Sequence, residues 1–215
     1  MQVYVVNQPG GPEALQLTTL PKPNVKPGWT RVKVLGFGIN HSEIFTREGK
    51  SPSVQFPRVL GIEVVGVVDE TSAPATFTSG QRVVSIMGEM GRAYDGSYAE
   101  YVLLPNEQVY PIKTDLPIAS LVATPETYYT AYGIFKSLQL KATDRVLNGC
   151  YLTGFSSGDV SQTLLQDLFD FIAAYHVSVA PARIFNFNQV PAAHAYLQAA
   201  DSFGKAIVLL DQNAE

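Results

Sequence analysis

The chain has 215 residues, of which 46% are hydrophobic and 16% charged, a composition typical of a globular protein and not of a disordered one. Its formal net charge of −4 and the lack of a basic stripe argue against nucleic acid and acidic membrane lipid as partners. The N-terminus shows no signal-peptide pattern, no apolar run approaches the roughly 18 residues of a membrane span, and the single Cys150 excludes an internal disulfide. Together these features predict a cytoplasmic protein.

Short segments in the first 112 residues have the composition of β-strands. They are rich in Val, Ile, Tyr and Thr, and Pro/Gly turns separate them. The predicted strands are Gln2–Val6, Leu15–Thr19, Thr30–Ile39, Glu63–Glu70, Arg82–Met87, Ser97–Leu104 and Val109–Ile112. Spacing this close favours an antiparallel barrel or sandwich over βαβ units.

Helices and one last strand are predicted in the second half of the chain. Thr124-Pro125-Glu126 begins a helix, because it offers a capping hydroxyl, a first-turn proline and an acid that faces the helix dipole. Asp159-Val160-Ser161-Gln162 resembles a capping box and begins an amphipathic helix. A third helix is predicted from about Pro191 to Ala200, and a buried strand over Ala206–Leu210. The fold class that follows is α+β, mainly β.

A polar turn follows the third predicted strand, in the segment GFGINHSEIFTREG of residues 36–49. Asn40 could cap the short helix that begins there, with Glu43 and Arg47 forming an i,i+4 pair on the helix surface. Alternatively, Asn40 belongs to a reaction site, since its amide can both donate and accept hydrogen bonds. The local pattern by itself favours the capping interpretation.

Glu63 and a glycine-rich loop leave structural and functional interpretations open. Glu63 begins an otherwise apolar strand, so its carboxylate is either exposed at the strand end or buried and paired. The loop Met87–Gly96 contains Tyr94 and either lines a pocket or forms a hairpin tip, which is the commoner case.

The ligand count argues against a metal site. The chain has one cysteine and three histidines, His41, His176 and His194, and no Cys-x-x-Cys motif. A structural zinc lobe is therefore excluded, and a catalytic zinc, which usually takes three protein ligands, is not expected.

In their order and spacing, these segments resemble the medium-chain dehydrogenase/reductase superfamily, in its zinc-independent, quinone-oxidoreductase-like branch. The matching pieces are GINHSEIFTREG, FPRVLGIEVVGVV, GQRVV, GSYAEYVLLP, TYYTAYGIF and FGKAIVL, and they extend over nearly the whole chain. The resemblance implies a GroES-like β-barrel with flanking helices, built from residues 1–140 and 155–215. In the family, a Rossmann cofactor domain is inserted between these two parts.

The resemblance also implies roles for single residues. Zinc-dependent members carry cysteine and histidine where this chain has Asn40 and Ile62, so no zinc is expected. The tyrosine that many quinone reductases carry shortly after the first block is missing here, and Tyr94 could replace it. The predicted catalytic residues are Asn40, Tyr94 and Glu63; the predicted cofactor-binding residues are Asn40, Thr127, Thr130 and Lys205.

The segment VLNGCYLTG, residues 146–154, stands where the family has its cofactor domain. Residues up to Leu147 resemble the opening of the first Rossmann strand, and residues from Cys150 onward resemble the last strand of that domain. Between them lies Asn148-Gly149, which favours a two-residue hairpin turn, in place of a glycine-rich phosphate turn. We expect residues 141–154 to be a remnant and splice hairpin, with no complete Rossmann domain. A natural plain hairpin is the alternative.

The function implied for the parent protein is reduction of a quinone, enone or other carbonyl by NADPH. This chain is expected to bind no cofactor and to be inactive alone, because positioning of the reactants supplies roughly 7–11 kcal/mol of such a barrier. The parent is expected to be a homodimer, this chain a monomer, and the partner a small-molecule substrate. The alternatives are a non-enzymatic ligand- or partner-binding barrel and a zinc-type alcohol dehydrogenase-like protein that has lost its zinc.

Overall fold

The structure is a computed structural model that describes residues 1–139, 156 and 158–211. Ten strands are described: β1 Gln2–Val6, β2 Leu15–Thr19, β3 Trp29–Gly38, β4 Arg58–Val59, β5 Glu63–Thr71, β6 Arg82–Ile86, β7 Tyr101–Pro105, β8 Tyr110–Pro111, β9 Arg183–Asn186 and β10 Ala206–Leu209. The described α-helices are α1 His41–Arg47, α2 Ile118–Ala123, α3 Pro125–Ser137, α4 Gln162–Ala174 and α5 Val190–Gln198, and short 3-10 helices lie at Pro12–Ala14, Asn106–Gln108 and Phe187–Gln189.

Two sheets organise these strands. The smaller has the order β2-β1-β4, and the larger has the order β8-β6-β5-β3-β10-β9, with β7 also paired to β3. The pairs are antiparallel, except that β9 and β10 run parallel. The fold is therefore α+β with mainly antiparallel sheets and flanking helices, as the strand composition predicted.

The ten residues of β3 give the larger sheet its shape. One edge of β3 pairs with β5, while the other pairs with β7 along its first half and with β10 at its end. Gly38 lies opposite Ile207, so the last described strand reaches the point where β3 gives way to α1. This pairing brings the start of β10 next to the polar turn at Asn40.

The core lies on both faces of the larger sheet. Val64, Val83 and Val208 pack into one hydrophobic cluster, between the sheets and against α5. Their neighbours pack into a second cluster beneath α2, α3 and α4. Successive strand residues point to opposite faces, so burial of both faces explains why these strands read as continuous apolar runs.

The sequence patterns located most elements but misplaced some details. The second long helix is capped by Ser161, whose side chain accepts from the Leu164 N–H, and not by Asp159. The interpretation of Glu43 and Arg47 as a surface pair is wrong, because both side chains are buried and bind other partners. Asn40 stands at the N-cap of α1 but makes no side-chain capping bond.

The residues that the structure describes bear only partly on two expectations, the splice hairpin and the lack of a complete Rossmann domain. The splice hairpin of residues 141–154 lies outside them. Within them, parallel strand pairing is limited to β9 and β10. No helix in the described part of the chain is long and apolar enough to cross a membrane.

Candidate functional site

The site forms where β3 ends and β10 begins. The Ile39 N–H donates to the Ala206 carbonyl at 3.0 Å, which fixes the two strands side by side. Asn40 and Lys205 follow and precede this contact, so they become neighbours although 165 residues separate them. Glu63, the first residue of β5, joins them from the strand on the other edge of β3.

Asn40, Glu63 and Lys205 form a tight polar cluster. The Lys205 Nζ donates to Asn40 Oδ1 at 2.5 Å and to Glu63 Oε1 at 2.6 Å. Asn40 Nδ2 donates to Glu63 Oε1 at 2.9 Å and, at 3.4 Å, to Glu43 Oε1. Because an ammonium only donates, Lys205 fixes the orientation of the Asn40 amide.

Glu63 is buried and paired, which settles the choice that the sequence left open. Only 1% of its side chain is exposed. Its second oxygen, Oε2, accepts from the Glu126 N–H at 3.0 Å in the first turn of α3. A carboxylate at a helix N-terminus is stabilised by the orphan N–H groups and the helix dipole.

Two further carboxyl groups surround this cluster. Glu43 is buried, accepts from the Ile62 N–H at 3.2 Å through Oε1, and has no hydrogen-bond partner for Oε2 among the described residues. Burial, and then repulsion from Glu63, raises the pKa of Glu43 to about 8, against an opposing effect of Lys205. Glu43 is therefore mostly protonated at neutral pH. Burial, followed by Glu63, also raises the pKa of Glu126.

Gly38 makes room for the ion pair. A Cβ built at this position would lie 2.2 Å from Glu63 Oε1 and 2.4 Å from Lys205 Cε. Any other residue would have to displace the pair. The second glycine of the GFG segment is thus explained by the contact that its missing side chain allows.

An open pocket of about 1020 Å³ lies over the cluster. Asn40 and Lys205 line it together with apolar Ile62 and Met87. Arg92 also lines it and donates to Ser42 Oγ at 3.0 Å. The loop Met87–Gly96 therefore contributes to a pocket and is more than a hairpin tip.

The structure brings some of the predicted site residues together and leaves another apart. Thr127 lines the same pocket, and Thr130 Oγ1 lies 3.3 Å from Glu126 Oε1, one turn further along α3. Tyr94 does not line this pocket: its ring packs edge-on against Trp29 at 5.2 Å, and its hydroxyl donates to Gln108.

Glu43, Gly38 and Arg92 were not predicted as site residues. Glu43 carried a usable signal, since it lies in the first turn of α1, three residues after Asn40 at the N-cap. The positions of Gly38 and Arg92 depend on tertiary contacts that local sequence patterns do not predict.

A second buried network joins α1 to α5. The Arg47 guanidinium, fully buried, contacts His194 Nδ1 at 3.1 Å, and His194 Nε2 lies 2.9 Å from the Tyr98 hydroxyl. Arginine only donates, so Nδ1 accepts and the imidazole proton sits on Nε2. Burial, and then the charge of Arg47, lowers the pKa of His194 to about 3. In the described part of the chain, no group of three or more His, Cys, Asp or Glu is placed to hold a metal ion.

Comparison with known proteins identifies the class of the fold. Residues 26–114 match the family model described as an alcohol dehydrogenase GroES-like domain, and residues 108–208 match the zinc-binding dehydrogenase model. Among solved structures, an NAD-dependent alcohol dehydrogenase aligns with a TM-score of 0.81 over 98% of this chain and 100% of that one, at 18% identity. The fold is that of a GroES-like dehydrogenase domain.

Curated relatives identify the superfamily to which the chain belongs. The quinone oxidoreductase of Homo sapiens is 32% identical over 153 residues, which cover 68% of this chain and 44% of the human protein. The zinc-type alcohol dehydrogenase-like protein C337.11 of Schizosaccharomyces pombe is 27% identical over 134 residues, 62% of this chain and 40% of that protein. The chain belongs to the medium-chain dehydrogenase/reductase superfamily and spans about two fifths of the length of these relatives.

Proposed function

We propose that this chain is the substrate-binding part of a zinc-independent, NAD(P)H-dependent reductase that acts on a quinone, an enone or another activated carbonyl. The observation that carries the proposal is the Asn40–Glu63–Lys205 cluster at the base of an open pocket. The similarity to quinone oxidoreductases, and to a trans-enoyl reductase of Aspergillus flavipes that is 25% identical over 150 residues, supports the substrate class.

The residues present do not fit a catalytic zinc. Asn40 and Ile62 stand where zinc-dependent members of the superfamily carry their cysteine and histidine ligands. Ile62 offers only hydrocarbon, and it is buried. The Lys205 ammonium already lies 2.6 Å from the Glu63 carboxylate, so a second cation there would meet its charge at short range. These features support a reaction in which the protein's own hydrogen-bond donors polarise the substrate.

The pocket offers both polar and apolar groups to the reactive end of a dinucleotide. The Thr127 hydroxyl and the Arg92 guanidinium supply polar groups in the lining, while Ile62 and Met87 keep part of it apolar. A bound reduced nicotinamide would supply the hydride. A native complex of the mycobacterial protein Rv1454c with NADPH, 17% identical to this chain with a TM-score of 0.79, supports that cofactor type for the parent.

We expect the chain alone to be a poor enzyme, with residues 1–140 and 155–215 acting as one substrate domain. A doubly wound dinucleotide domain needs two βαβαβ halves, on the order of a hundred residues, and the sequence offers no such segment. Without a domain that holds the dinucleotide in place, most of the free energy gained by positioning the reactants is lost. NADPH oxidation at 340 nm with 1,4-benzoquinone should not exceed the uncatalysed rate, and substantial turnover would contradict this expectation.

Substrate binding can be tested without the cofactor. An isotope-labelled chain titrated with menadione, a naphthoquinone, should show chemical-shift changes centred on the amides of Ile62, Thr127 and Gly204, which line the pocket. Shifts confined to other surfaces, or no binding up to the solubility of menadione, would refute the proposed site.

The alternative is a binding barrel that never used a cofactor. The pocket and its polar base would then serve a ligand that undergoes no reaction. The genomic reading frame discriminates between the two: an extra segment on the order of a hundred codons between Leu147 and Cys150 supports the reductase, and a continuous frame favours the binding barrel.

A further inference from the structure

We propose that Lys205 is the residue that binds the substrate oxygen in this pocket and stabilises the negative charge which that oxygen gains during reduction. The inference rests on the proposed reductase function and goes beyond it by assigning the electrostatic role to one side chain. The sequence resemblance had associated Lys205 only with the cofactor.

The hydrogen bonds of Lys205 leave one donor for a ligand. An ammonium carries three N–H groups, and two acceptors among the described residues, Asn40 Oδ1 and Glu63 Oε1, engage two of them. Lys205 lines the pocket, yet only 8% of its side chain is exposed. Its third N–H is therefore available to a molecule in the pocket, in surroundings from which bulk water is mostly excluded.

Asn40 is less suited to the same task. Both hydrogens of its amide are directed at carboxyl oxygens, one at Glu63 and the longer one at Glu43. Its oxygen faces Lys205 and cannot donate to a substrate. Asn40 is consequently a positioning residue, which holds the ammonium in one place before the substrate arrives. Such preorganisation is what makes an oxyanion-binding donor effective.

The charges around Lys205 allow it to accept an anionic partner. Glu63 lies against one side of the ammonium, and its Oε1 and Oε2 are bound by Asn40 and by the Glu126 N–H. Glu43 is mostly neutral at pH 7, because burial and Glu63 raise its pKa to about 8. The innermost cluster thus holds one ammonium balanced by one carboxylate. The Glu126 carboxyl also lines the pocket, and burial, followed by Glu63, raises its pKa, which reduces the negative charge that an incoming oxyanion meets.

Arg92 is the competing donor in the pocket. It is half-buried, and one of its nitrogens is engaged by Ser42 Oγ. It lies in a loop, whereas Lys205 immediately precedes β10 and is held by two bonds. A charged donor is worth more where the effective dielectric constant is low, so Lys205 should contribute the larger effect. The two residues can be separated by mutation.

The probe is 4-nitrophenol, which titrates near neutral pH and whose phenolate absorbs near 400 nm. Bound to the wild-type chain without cofactor, it should be held preferentially as phenolate, and the pKa of the bound probe should fall. Lys205→Met should weaken phenolate binding roughly ten- to hundredfold, the range for loss of a charge-assisted hydrogen bond. Binding of uncharged 4-nitroanisole should stay unchanged, which shows that the pocket remains intact.

Three variants make the test decisive. Lys205→Arg keeps the charge and should retain part of the phenolate preference. Arg92→Met should retain most of the phenolate preference. If Lys205→Met does not fold, because Glu63 is left unpaired, the double variant Lys205→Met/Glu63→Gln removes both charges and should show the same loss.

Two results would overturn the proposal: no phenolate preference in the wild type, or a preference that survives in the Lys205 variants and disappears in Arg92→Met. Because the probe is never reduced, this result is independent of whether the parent reduces quinones. A failed menadione titration would count against the substrate class, and a failed phenolate titration against Lys205.

Discussion

Glu43 should make the stability of this protein fall as the pH rises above neutrality. The perturbation is Glu43→Gln. Glutamine keeps an oxygen that can accept from the Ile62 N–H, and it replaces the unpartnered Oε2 with an amide nitrogen. The substitution removes the titration of this side chain and its repulsion by Glu63.

The sign and size of the effect follow from linkage. The pKa of Glu43 is about 8 in the folded protein, raised by burial and by Glu63 from an ordinary 4.5. Between these values the folded state holds a proton that the unfolded chain releases, so stability is fully present below pH 4.5 and is lost toward pH 8. The slope is about 1.36 kcal/mol per pH unit well below pH 8 and half that value at pH 8, so this contribution to the free energy of unfolding should drop by about 1.6 kcal/mol between pH 6.5 and 8.

The pH window avoids the opposing effect of His194. Burial and Arg47 lower the pKa of His194 from 6.5 to about 3, so its contribution changes mainly below pH 6.5 and by only about 0.4 kcal/mol above it. Urea unfolding of the wild type and Glu43→Gln at pH 6.5, 7, 7.5 and 8 gives the comparison. The wild type should lose about 1.6 kcal/mol more than the variant, which should change by less than about 0.5 kcal/mol. Parallel curves for the two proteins would refute the assignment of a protonated Glu43.

Four further outcomes are expected. In the Glu43→Gln background, the free energy of unfolding should decrease by up to about 1.36 kcal/mol for each unit by which the pH is lowered below 6.5. Adding His194→Gln should flatten this slope in urea titrations. Tyr98→Phe removes the acceptor of the His194 Nε2–H and should cost about 1–3 kcal/mol, whereas Tyr175→Phe, at a residue 70% exposed, should change stability by less than about 0.5 kcal/mol; equal effects would contradict the buried network. Gly38→Ala should displace the ion pair and weaken binding of 4-nitrophenolate, and unchanged affinity would argue against the tight contact. Light scattering after size exclusion should show a monomer, and a stable dimer would contradict the expectation that dimerisation requires a Rossmann domain.

Local sequence patterns were sufficient for most of the fold. The strands β1 and β2 and the start of α3 were predicted to the residue, because β-branched runs, turns and a first-turn proline act locally. The two-residue β4 and the four-residue β9 were not predicted, since strands so short carry little composition signal. Membership of the superfamily was correctly predicted from motif order.

The site was only partly predictable, because its partners are distant in sequence. Glu43 and Arg47 have the spacing of a surface pair, yet α5 covers Arg47 with His194, 147 residues away. Likewise, nothing near Glu63 indicates that Lys205 will neutralise it, because 142 residues separate the two. The motifs named Asn40, Glu63 and Lys205 as candidate site residues, while their mutual contacts depend on the pairing of β3 with β10.

That pairing also has a consequence for synthesis on the ribosome. The partner of Gly38 on β10 is Ile207, so the edge of β3 that flanks the site stays unpaired until β10 has been synthesised. Such distant pairings are slow to form, and unpaired strand edges expose a nascent chain to aggregation. The emerging N-terminal strands should therefore benefit from a chaperone until residues 205–209 leave the exit tunnel. A chain stalled before that point would lack Lys205 and therefore a complete pocket.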